Sequence, residues 1–579
     1  MTDATKWIMR ELPPARVAES LSMQLSTQQP FPLPLANILA QRGIDSYEAA
    51  QRFYSPDLGQ IHDPFLMKDM EKAVERIIQA RKKAEKILLY GDYDVDGTSA
   101  VSLLTLFFST WGFTFEYYIP DRYKEGYGLS YQGIDYADQN DFGLIITLDC
   151  GIKATDKVQY AAVKGIDLII CDHHQPGEKL PEALAVLDPK REDCEYPYKE
   201  LTGCGVGFKL IQALSVKLPE NGFPTPEGFE DPMQAYADLV TLSIACDIVP
   251  ITGENRVIAF YGLKKLKTDP LPGIKVIMDQ DQNSREWGIS DLVFFVGPRI
   301  NAAGRLGDAK GAVEVMLGES EDLISLADAL QNSNDARKDL DKQMTDEALM
   351  MIDRDRHYGQ KSTTVLYNPK WHKGVIGIVA SRLIERYYRP TVLLTESDGK
   401  LVGSARSVVG FDLYQALEQC NDYLIQFGGH KYAAGLTLKE SEFTNFAFTF
   451  DQIVGSSITP EQRVPVLYID HLLKFSEIDA RFIRLLNRME PFGPGNRKPV
   501  FMTKHVKVLH TTIMKETHVR LVLQHENIML EAVGFNLAEK LSQVPAEGHI
   551  DIAYQPVFNT WNQNTRINLR LKDFRPSYE

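Results

Sequence analysis

Carboxylates and imidazoles recur at the ends of four apolar runs in this chain. Ile87-Leu88-Leu89-Tyr90 leads into Gly91-Asp92-Tyr93-Asp94-Val95-Asp96-Gly97, and Leu144-Ile145-Ile146-Thr147-Leu148 ends at Asp149. Leu168-Ile169-Ile170-Cys171 ends at Asp172-His173-His174, and the run from Leu239 to Cys246 ends at Asp247. Hard divalent ions such as Mg²⁺ and Mn²⁺ favour carboxylate oxygens, and one imidazole shifts the preference toward Mn²⁺. Two such ions roughly 3.5–4 Å apart can hold a nucleophilic water and a phosphate between them, so the chemistry these residues could do is two-metal hydrolysis. Asp149, alone at its strand end, suits a bridge between the ions. Asp94 and Asp96, alternating along an extended chain, could reach one ion each before Gly97 permits a close turn and Thr98 or Ser99 caps the helix that follows. Like charges gathered this closely repel unless cations fill the space.

Each motif has a competing explanation. An isolated DxDxDG can be a turn or a calcium loop, but an EF-hand needs Glu six residues past the Gly, and position 103 is Leu103. A lone His-His pair can be a satisfied surface pair. The joint occurrence at strand ends of one α/β unit is what favours chemistry.

The elements that must position these residues follow from apolar periodicity. Short apolar runs predict buried parallel strands, and ligands bind at the carboxyl ends of such strands. Residues 1–65 predict a helical preface, and 66–270 an α/β domain of strands alternating with helices (73–84, 99–110 and 131–139). Residues 271–358 form a connecting region, with a Gly/Arg-rich loop at 297–305 and a long charged helix over about 321–356. A second α/β unit is expected at 359–460, with strands at 363–367 and 391–394, a helix at 376–386 and turns at Gly403-Ser404-Ala405-Arg406-Ser407 and Gly428-Gly429-His430. From 461 to 579 short β-like runs suggest a small barrel, with an OB-fold as one candidate.

Composition bounds the rest. The 579 residues suit three or four domains, and 44% hydrophobic with 24% charged residues is globular. No apolar stretch is long enough to span a bilayer, and Met1 to Arg10 lacks a signal-peptide core, so a cytoplasmic location is the default expectation. None of the six cysteines forms a CxxC pair, which leaves them as small buried hydrophobes in a reducing cytosol. A net charge of −15 argues against wholesale attraction to polyanions. The 14 basic and 9 acidic side chains from Arg481 onward nonetheless leave that segment at +5 on a body at −20, compatible with local phosphate contacts.

Asp94/Asp96, Asp149, Asp172-His173-His174 and Asp247 resemble the four motifs of the DHH phosphoesterase superfamily. Gly297 to Arg305, Gly403 to Arg406 and Gly428 to Gly435 further resemble its RecJ branch, exonucleases that degrade single-stranded DNA from the 5′ end. The resemblance covers about residue 45 to 579. It implies two α/β domains, DHH and DHH-associated, joined by a long helix, plus a C-terminal OB-fold-like β-barrel. Carried over by residue, it makes Asp94, Asp96, Asp149, His173 and Asp247 metal ligands for two Mn²⁺ or Mg²⁺ ions. Asp172 would orient His173, and His174 would donate to the phosphate. Many relatives place a ligand His where this chain has Tyr90, so Asp92 either fills that vacancy or hydrogen-bonds nearby.

An exonuclease working from a 5′ end must sense a terminal phosphate, which wants a guanidinium with hydroxyl or backbone donors. Ser404 and Arg406 fit that need, as does Arg122, for which an ion pair with Asp121 or Glu125 is the alternative. Arg299, Asn301 and Arg305 resemble the family's nucleic-acid-contacting loop, and His430 follows two glycines that allow close approach. Trp371 and His372 could form a base platform, with core packing the rival explanation for Trp371. Tyr554, Phe558 and Trp561 could stack bases but fit a barrel core better. The resemblance implies release of 5′-mononucleotides in DNA repair and recombination. It also implies single-stranded DNA threaded between the α/β domains, helicase and single-strand-binding-protein partners, and a monomer. The alternatives are a DHH phosphodiesterase of small nucleotides, whose relatives generally lack the C-terminal β-module, and a non-catalytic single-strand-binding scaffold, whose relatives have lost ligands that this chain retains.

Overall fold

The structure, a computed structural model, describes residues 5–282, 286–307, 309–544, 549–561 and 564–577, apart from the side chains of Gln543 and Trp561. The chain divides into two compact units. One holds residues 5–7, Pro298–Ala312 and Asp322–Leu467. The other holds Ile8–Gly297, Val313–Glu321 and Tyr468–Glu579.

The larger unit is built on five parallel strands: β1 (Ile87–Gly91), β2 (Phe115–Tyr118), β3 (Leu144–Leu148), β4 (Asp167–Cys171) and β5 (Ala185–Leu187), in the order β2-β1-β3-β4-β5. Every residue of β1 and β3 is buried, as unbroken apolar runs require of central parallel strands. The strand order reverses between β1 and β3, the switch point where such sheets open a crevice. Helices α1 (Val95–Thr110), α2 (Gly203–Glu220) and α3 (Pro232–Cys246) pack together beside it.

The fourth apolar run is therefore a correction. Leu239 to Cys246 is the second half of α3, not a strand, and Asp247 is its C-cap. Asp231 accepts a hydrogen bond from Met233 N at 2.9 Å as N-cap, and Pro232 opens the helix. Because α3 is buried on nearly every side, it shows no polar stripe to mark a helical period. The sheet's fifth strand is instead the three-residue β5, too short for its pattern to stand out.

Three expected loops are also regular. The glycine- and arginine-rich segment is helix α4 (Gly297–Leu306), and its Gly297 lies so close to Cys246 that an added Cβ would stand 2.5 Å from Sγ. After α4 comes the long helix α5 (Leu323–Arg354), then a five-stranded sheet in the smaller unit. That sheet contains β6 (Thr364–Tyr367), β7 (Thr391–Ser397), β8 (Lys400–Arg406), β9 (Leu424–His430) and β10 (Ala433–Leu438), with helix α6 (Ile376–Tyr387) between β6 and β7. The two glycine-containing turns are instead the C-terminal ends of β8 and β9, and Gly428–His430 runs directly into the hairpin turn to β10. A Cβ on Gly403 would meet Leu394 at 2.8 Å and Leu436 at 3.0 Å, so glycine there serves packing between strands.

The C-terminal strands β11 (Phe501–Met514), β12 (His518–His525), β13 (Ile528–Gly534), β14 (His549–Trp561) and β15 (Asn564–Pro576) close into a barrel through the β11–β14 pairing. Tyr554 is fully buried with its hydroxyl 2.8 Å from Thr503 Oγ1, and Phe558 packs on the same core, so neither offers a free stacking face. The side chain of Trp561 lies outside the described residues. Helices Ala15–Leu25, Leu33–Gln41 and Tyr47–Tyr54 share the barrel's core: Leu35, Ile38 and Leu39 lie in one cluster with Phe482, Phe501 and Val519. Among the described residues no helix is long and apolar enough to cross a membrane. All six cysteines are free, five of them buried.

Leu35→Ala is expected to destabilise the larger unit by about 2–5 kcal/mol, as for other buried Leu truncations, read as a lower urea midpoint. An unchanged midpoint would show that the preface helices are not part of the barrel core.

Candidate metal centre and active site

The turn after β1 carries three carboxylates to one place. Asp94 is the N-cap of α1, and its Oδ1 accepts from the N–H groups of Asp96 (2.9 Å) and Gly97 (3.2 Å). The cap is therefore Asp94, not Thr98 or Ser99, and Asp96 lies in the first helical turn rather than on an extended chain. Gly97 is needed because a Cβ there would stand 2.5 Å from the Asp92 carbonyl oxygen. Asp92 is fully buried, whereas Tyr90 turns its hydroxyl to the Gly128 carbonyl at 3.0 Å.

Asp149 follows β3 with φ of +60°, a left-handed conformation costly for a non-glycine residue. Its N–H donates to Cys171 O at 2.9 Å, which ties it to β4. Gly203 at the start of α2 makes room for it: a Cβ would lie 2.5 Å from that of Asp149. Asp96 is gripped by the same helix, with Oδ2 accepting from Gly203 N (2.7 Å) and Oδ1 from Cys204 N (2.8 Å). Such a helix start favours a carboxylate through its free N–H groups and dipole.

His173 closes the cluster. Its Nε2 lies 3.2 Å from Asp149 Oδ1 and 3.6 Å from both Asp96 Oδ2 and Asp247 Oδ2. Three groups of donor atoms converge: Asp92 with Asp94 and Asp149, Asp96 with His173 and Asp247, and Asp149 with His173 and His174. Asp92 Oδ2, Asp149 Oδ1 and both ring nitrogens of His173 are buried without a hydrogen-bond partner. Orphaned oxygen and imidazole donors aimed at a shared point fit divalent cations.

Electrostatics agree. Burial, then the charges of Asp96 and Asp94, push Asp149 well above the usual carboxylate range. Asp92 and Asp247 are raised well above it by burial and then by Asp94 and Asp96 respectively, and Asp94 is raised by burial and then by Asp96. Burial lowers the His173 imidazole, which favours the neutral form a metal requires.

The Asp172 expectation needs correction. Its Oδ1 lies 2.8 Å from His174 Nδ1 and accepts the backbone N–H of His173 at 2.7 Å, so it orients the ring of His174 rather than that of His173. Burial opposes charge on His174, but the hydrogen bond and charge of Asp172, with Asp247 and Asp96, outweigh it and raise the imidazole to about 9. His174 Nε2 lies 3.3 Å from the hydroxyl of Tyr127. Tyr127 meets Tyr93 edge-on with ring centroids 6.1 Å apart, and the Arg122 guanidinium lies 4.8 Å above the Tyr93 ring.

Several of these residues escaped the sequence reading. Tyr127 stands between Gly126 and Gly128, and Gly203 in Thr202-Gly203-Cys204-Gly205; glycine spacing was the available signal in both. Asp188 follows β5 fully buried, with Oδ2 unpartnered and its carboxyl raised to about 7 by burial, and only the shortness of β5 hid it.

In the smaller unit, Arg406 Nη1 donates to Ser404 Oγ at 2.9 Å. Both face the start of α6, where a Cβ on Gly377 would lie 2.8 Å from Arg406 Nη2 and 2.9 Å from Ser404 Oγ. Guanidinium, hydroxyl and helix N-terminus share this spot. Trp371 is not a platform: it is buried in the α5–α6 core with Nε1 donating to Glu347 at 2.8 Å. His372 Nδ1 accepts from Gly374 N, and Arg305 Nη1 donates to Gly374 O, both at distances near 3 Å. Arg299 is buried, Asn301 half-buried and His430 exposed on β9.

A cradle of this kind beyond a parallel sheet is what DHH phosphoesterases build, and the chain matches the model of the DHH family N-terminal domain over residues 86–244. The DHHA1 domain model matches 360–456 and the RecJ OB domain model 469–573. The single-stranded-DNA-specific exonuclease RecJ of Bacillus subtilis is 35% identical over 94% of this chain and 68% of its own. That of Escherichia coli is 32% identical over 94% and 97%. The crystal structure of RecJ in complex with Mn²⁺ from Thermus thermophilus superposes with a TM-score of 0.84 at 25% identity, covering 100% of this chain and 81% of that one. The chain belongs to the RecJ family.

Because the folded protein raises the pKa of Asp149, its ionisation opposes folding. In chelator, the contribution of Asp149 to stability is fullest below the unfolded aspartate value of about 3.9 and declines as pH rises toward the raised value. Asp149→Asn is expected to flatten that decline and to raise the chelated protein's melting temperature by roughly 1 °C for each kcal/mol relieved, given about 2.1 cal/mol/K of unfolding entropy per residue over so long a chain. A steeper pH dependence in Asp149→Asn, followed by circular dichroism, would contradict the charge analysis.

Proposed function

We propose that the protein is a metal-dependent exonuclease that degrades single-stranded DNA from its 5′ end and releases 5′-mononucleotides. The observation that carries this reading is the convergence of Asp92, Asp94, Asp96, Asp149, His173 and Asp247 with unpartnered donor atoms, joined to family membership across nearly the whole chain. Asp94, Asp96, Asp149, His173 and Asp247 hold two divalent cations in this reading, and Asp92 takes the place left by Tyr90. Mn²⁺ and Mg²⁺ are the favoured ions, as in the solved relatives. When bound, they would supply Lewis-acid polarisation of the phosphodiester and activation of water.

The chain's own groups do the remaining work. His174 holds one proton at Nδ1 against Asp172 and presents a second at Nε2, which donates to a non-bridging phosphate oxygen as negative charge grows there. Tyr127 limits the rotation of that ring. Ser404 and Arg406, on β8 and facing the start of α6, receive the 5′-phosphate, and Arg122 is a further phosphate contact beside the carboxylates. Arg299, Asn301, Arg305, His372 and His430 contact the strand in this reading, whereas Trp371 supports the core. The enzyme would act in the cytoplasm as a monomer in DNA repair and recombination, on strands supplied by a helicase and bound by single-strand-binding protein.

Product analysis on 5′-phosphorylated single strands with Mn²⁺ tests the reading. Mononucleotides should appear from the 5′ end and blunt duplex should resist; turnover of dinucleotides alone would favour a small-nucleotide phosphodiesterase, and no Mn²⁺-dependent turnover a binding scaffold. His174→Ala is expected to lower kcat by about 10²–10³-fold, as for loss of one transition-state donor. Arg406→Ala should raise KM for 5′-phosphorylated strands by roughly tenfold or more, the worth of a charged hydrogen bond, and leave 5′-hydroxyl strands little affected. Equal loss on both substrates would remove Arg406 from end recognition.

A further inference from the structure

Asp96 is held by more than the N-terminus of α2. The Ser243 hydroxyl, on α3, lies 2.7 Å from Asp96 Oδ1 and 2.6 Å from the Thr202 hydroxyl. Thr202 Oγ1 in turn accepts the N–H of Gly205 at 2.9 Å. Thr202 and Ser243 are both fully buried, and Asp96 almost so.

The direction of each hydrogen bond follows from valence. A hydroxyl has one proton to give. An ionised carboxylate can only accept, so Ser243 spends its proton on Asp96. Ser243 must then accept from Thr202, and Thr202 accepts from the backbone of Gly205. The chain runs one way, from Gly205 N–H through Thr202 and Ser243 to Asp96, and each donor polarises the next. Ser243 also serves the other side of the cluster. It lies one turn before Asp247, whose N–H donates to the Ser243 carbonyl at 2.9 Å. One residue therefore holds two of the three groups that meet as Asp96, His173 and Asp247.

We propose that Thr202 and Ser243 are positioning residues of the metal centre, whose hydroxyls form a directed relay that aims Asp96 at the cation shared with His173 and Asp247. The proposal rests on the metal-ligand roles given above. It assigns the relay to one cation site only, because Asp94 takes its donors from its own helix start and Asp92 lies outside the relay. Capping alone would explain Thr202, which is the N-cap of α2. It does not explain why Ser243, in the last turns of another helix, spends its proton on a carboxylate.

The test uses the full chain freed of metal by chelation, with Mn²⁺ binding followed calorimetrically and by the loss of the free-ion electron paramagnetic resonance signal. The wild type should bind two Mn²⁺. Ser243→Ala should weaken one of the two by about 10–100-fold, the usual range for groups that orient metal ligands, and leave the other unchanged. Its kcat should recover at saturating Mn²⁺ while the Mn²⁺ concentration for half activity rises by the same factor. Thr202→Val should weaken the same site, and Thr202→Ser, which keeps the hydroxyl, should restore it. Should Ser243→Ala fail to fold, the Thr202 pair decides. A lower melting temperature in chelator with unchanged Mn²⁺ affinity, or equal weakening of both sites, would overturn the proposal and leave a purely structural role. A wild type that binds no Mn²⁺ would overturn the metal-centre reading itself, and this inference with it.

Discussion

Five aspartates and an imidazole converge, with Asp92, Asp96, Asp149 and His173 buried where water cannot screen them, and the surrounding architecture answers to that repulsion. Some of it is offset by the chain itself. The start of α2 and the Ser243 hydroxyl surround Asp96 with donors, and Asp172 is balanced by His174. Asp149 Oδ1 and Asp92 Oδ2 keep no partner, and Asp92 Oδ1 accepts only a long bond of 3.4 Å from Gly128 N. The backbone contains the strain this creates, in a left-handed Asp149 and in glycines that let Asp92 and α2 approach without a Cβ. An arrangement so unfavourable alone is coherent as a receptor for positive charge.

Most of the residues that converge at the candidate metal centre could be read from the chain because they follow strand ends, where fold topology brings distant segments together whatever their separation. Asp94, Asp149 and His173 were legible for that reason. Asp247 was found for a partly mistaken one, since the apolar run before it is a helix buried all round, whose composition resembles that of a central strand. Supporting groups were less visible. Tyr127, Asp188 and Ser243 belong to no motif, and their positions near the carboxylates exist only once distant helices and strand ends meet. The same limit explains why Asp172 was matched with the wrong histidine: adjacent residues in a turn point in directions that spacing does not encode.

Glycine-rich segments misled in a consistent way. Those at 297–305, 403–407 and 428–430 suggested loops, yet they lie mostly in a helix and in the C-terminal ends of two strands. In the first two segments glycine provides close packing, Gly297 against Cys246 and Gly403 between Leu394 and Leu436, whereas Gly429, with φ of +145°, leads into the hairpin turn between β9 and β10. Trp371 shows the converse, since an aromatic residue among polar neighbours looked like a nucleic-acid platform and is part of a core.

The core that Leu35, Ile38 and Leu39 share with Phe501 and Val519 joins stretches of polypeptide more than 400 positions apart in the chain. A ribosome adding roughly 5–20 residues per second leaves those early helices without their partner for on the order of tens of seconds. Through that interval their apolar faces are open to chaperones and to neighbouring nascent chains. The barrel cannot complete its own interior during that interval either, so the order of synthesis makes this joint a late, long-range step of maturation.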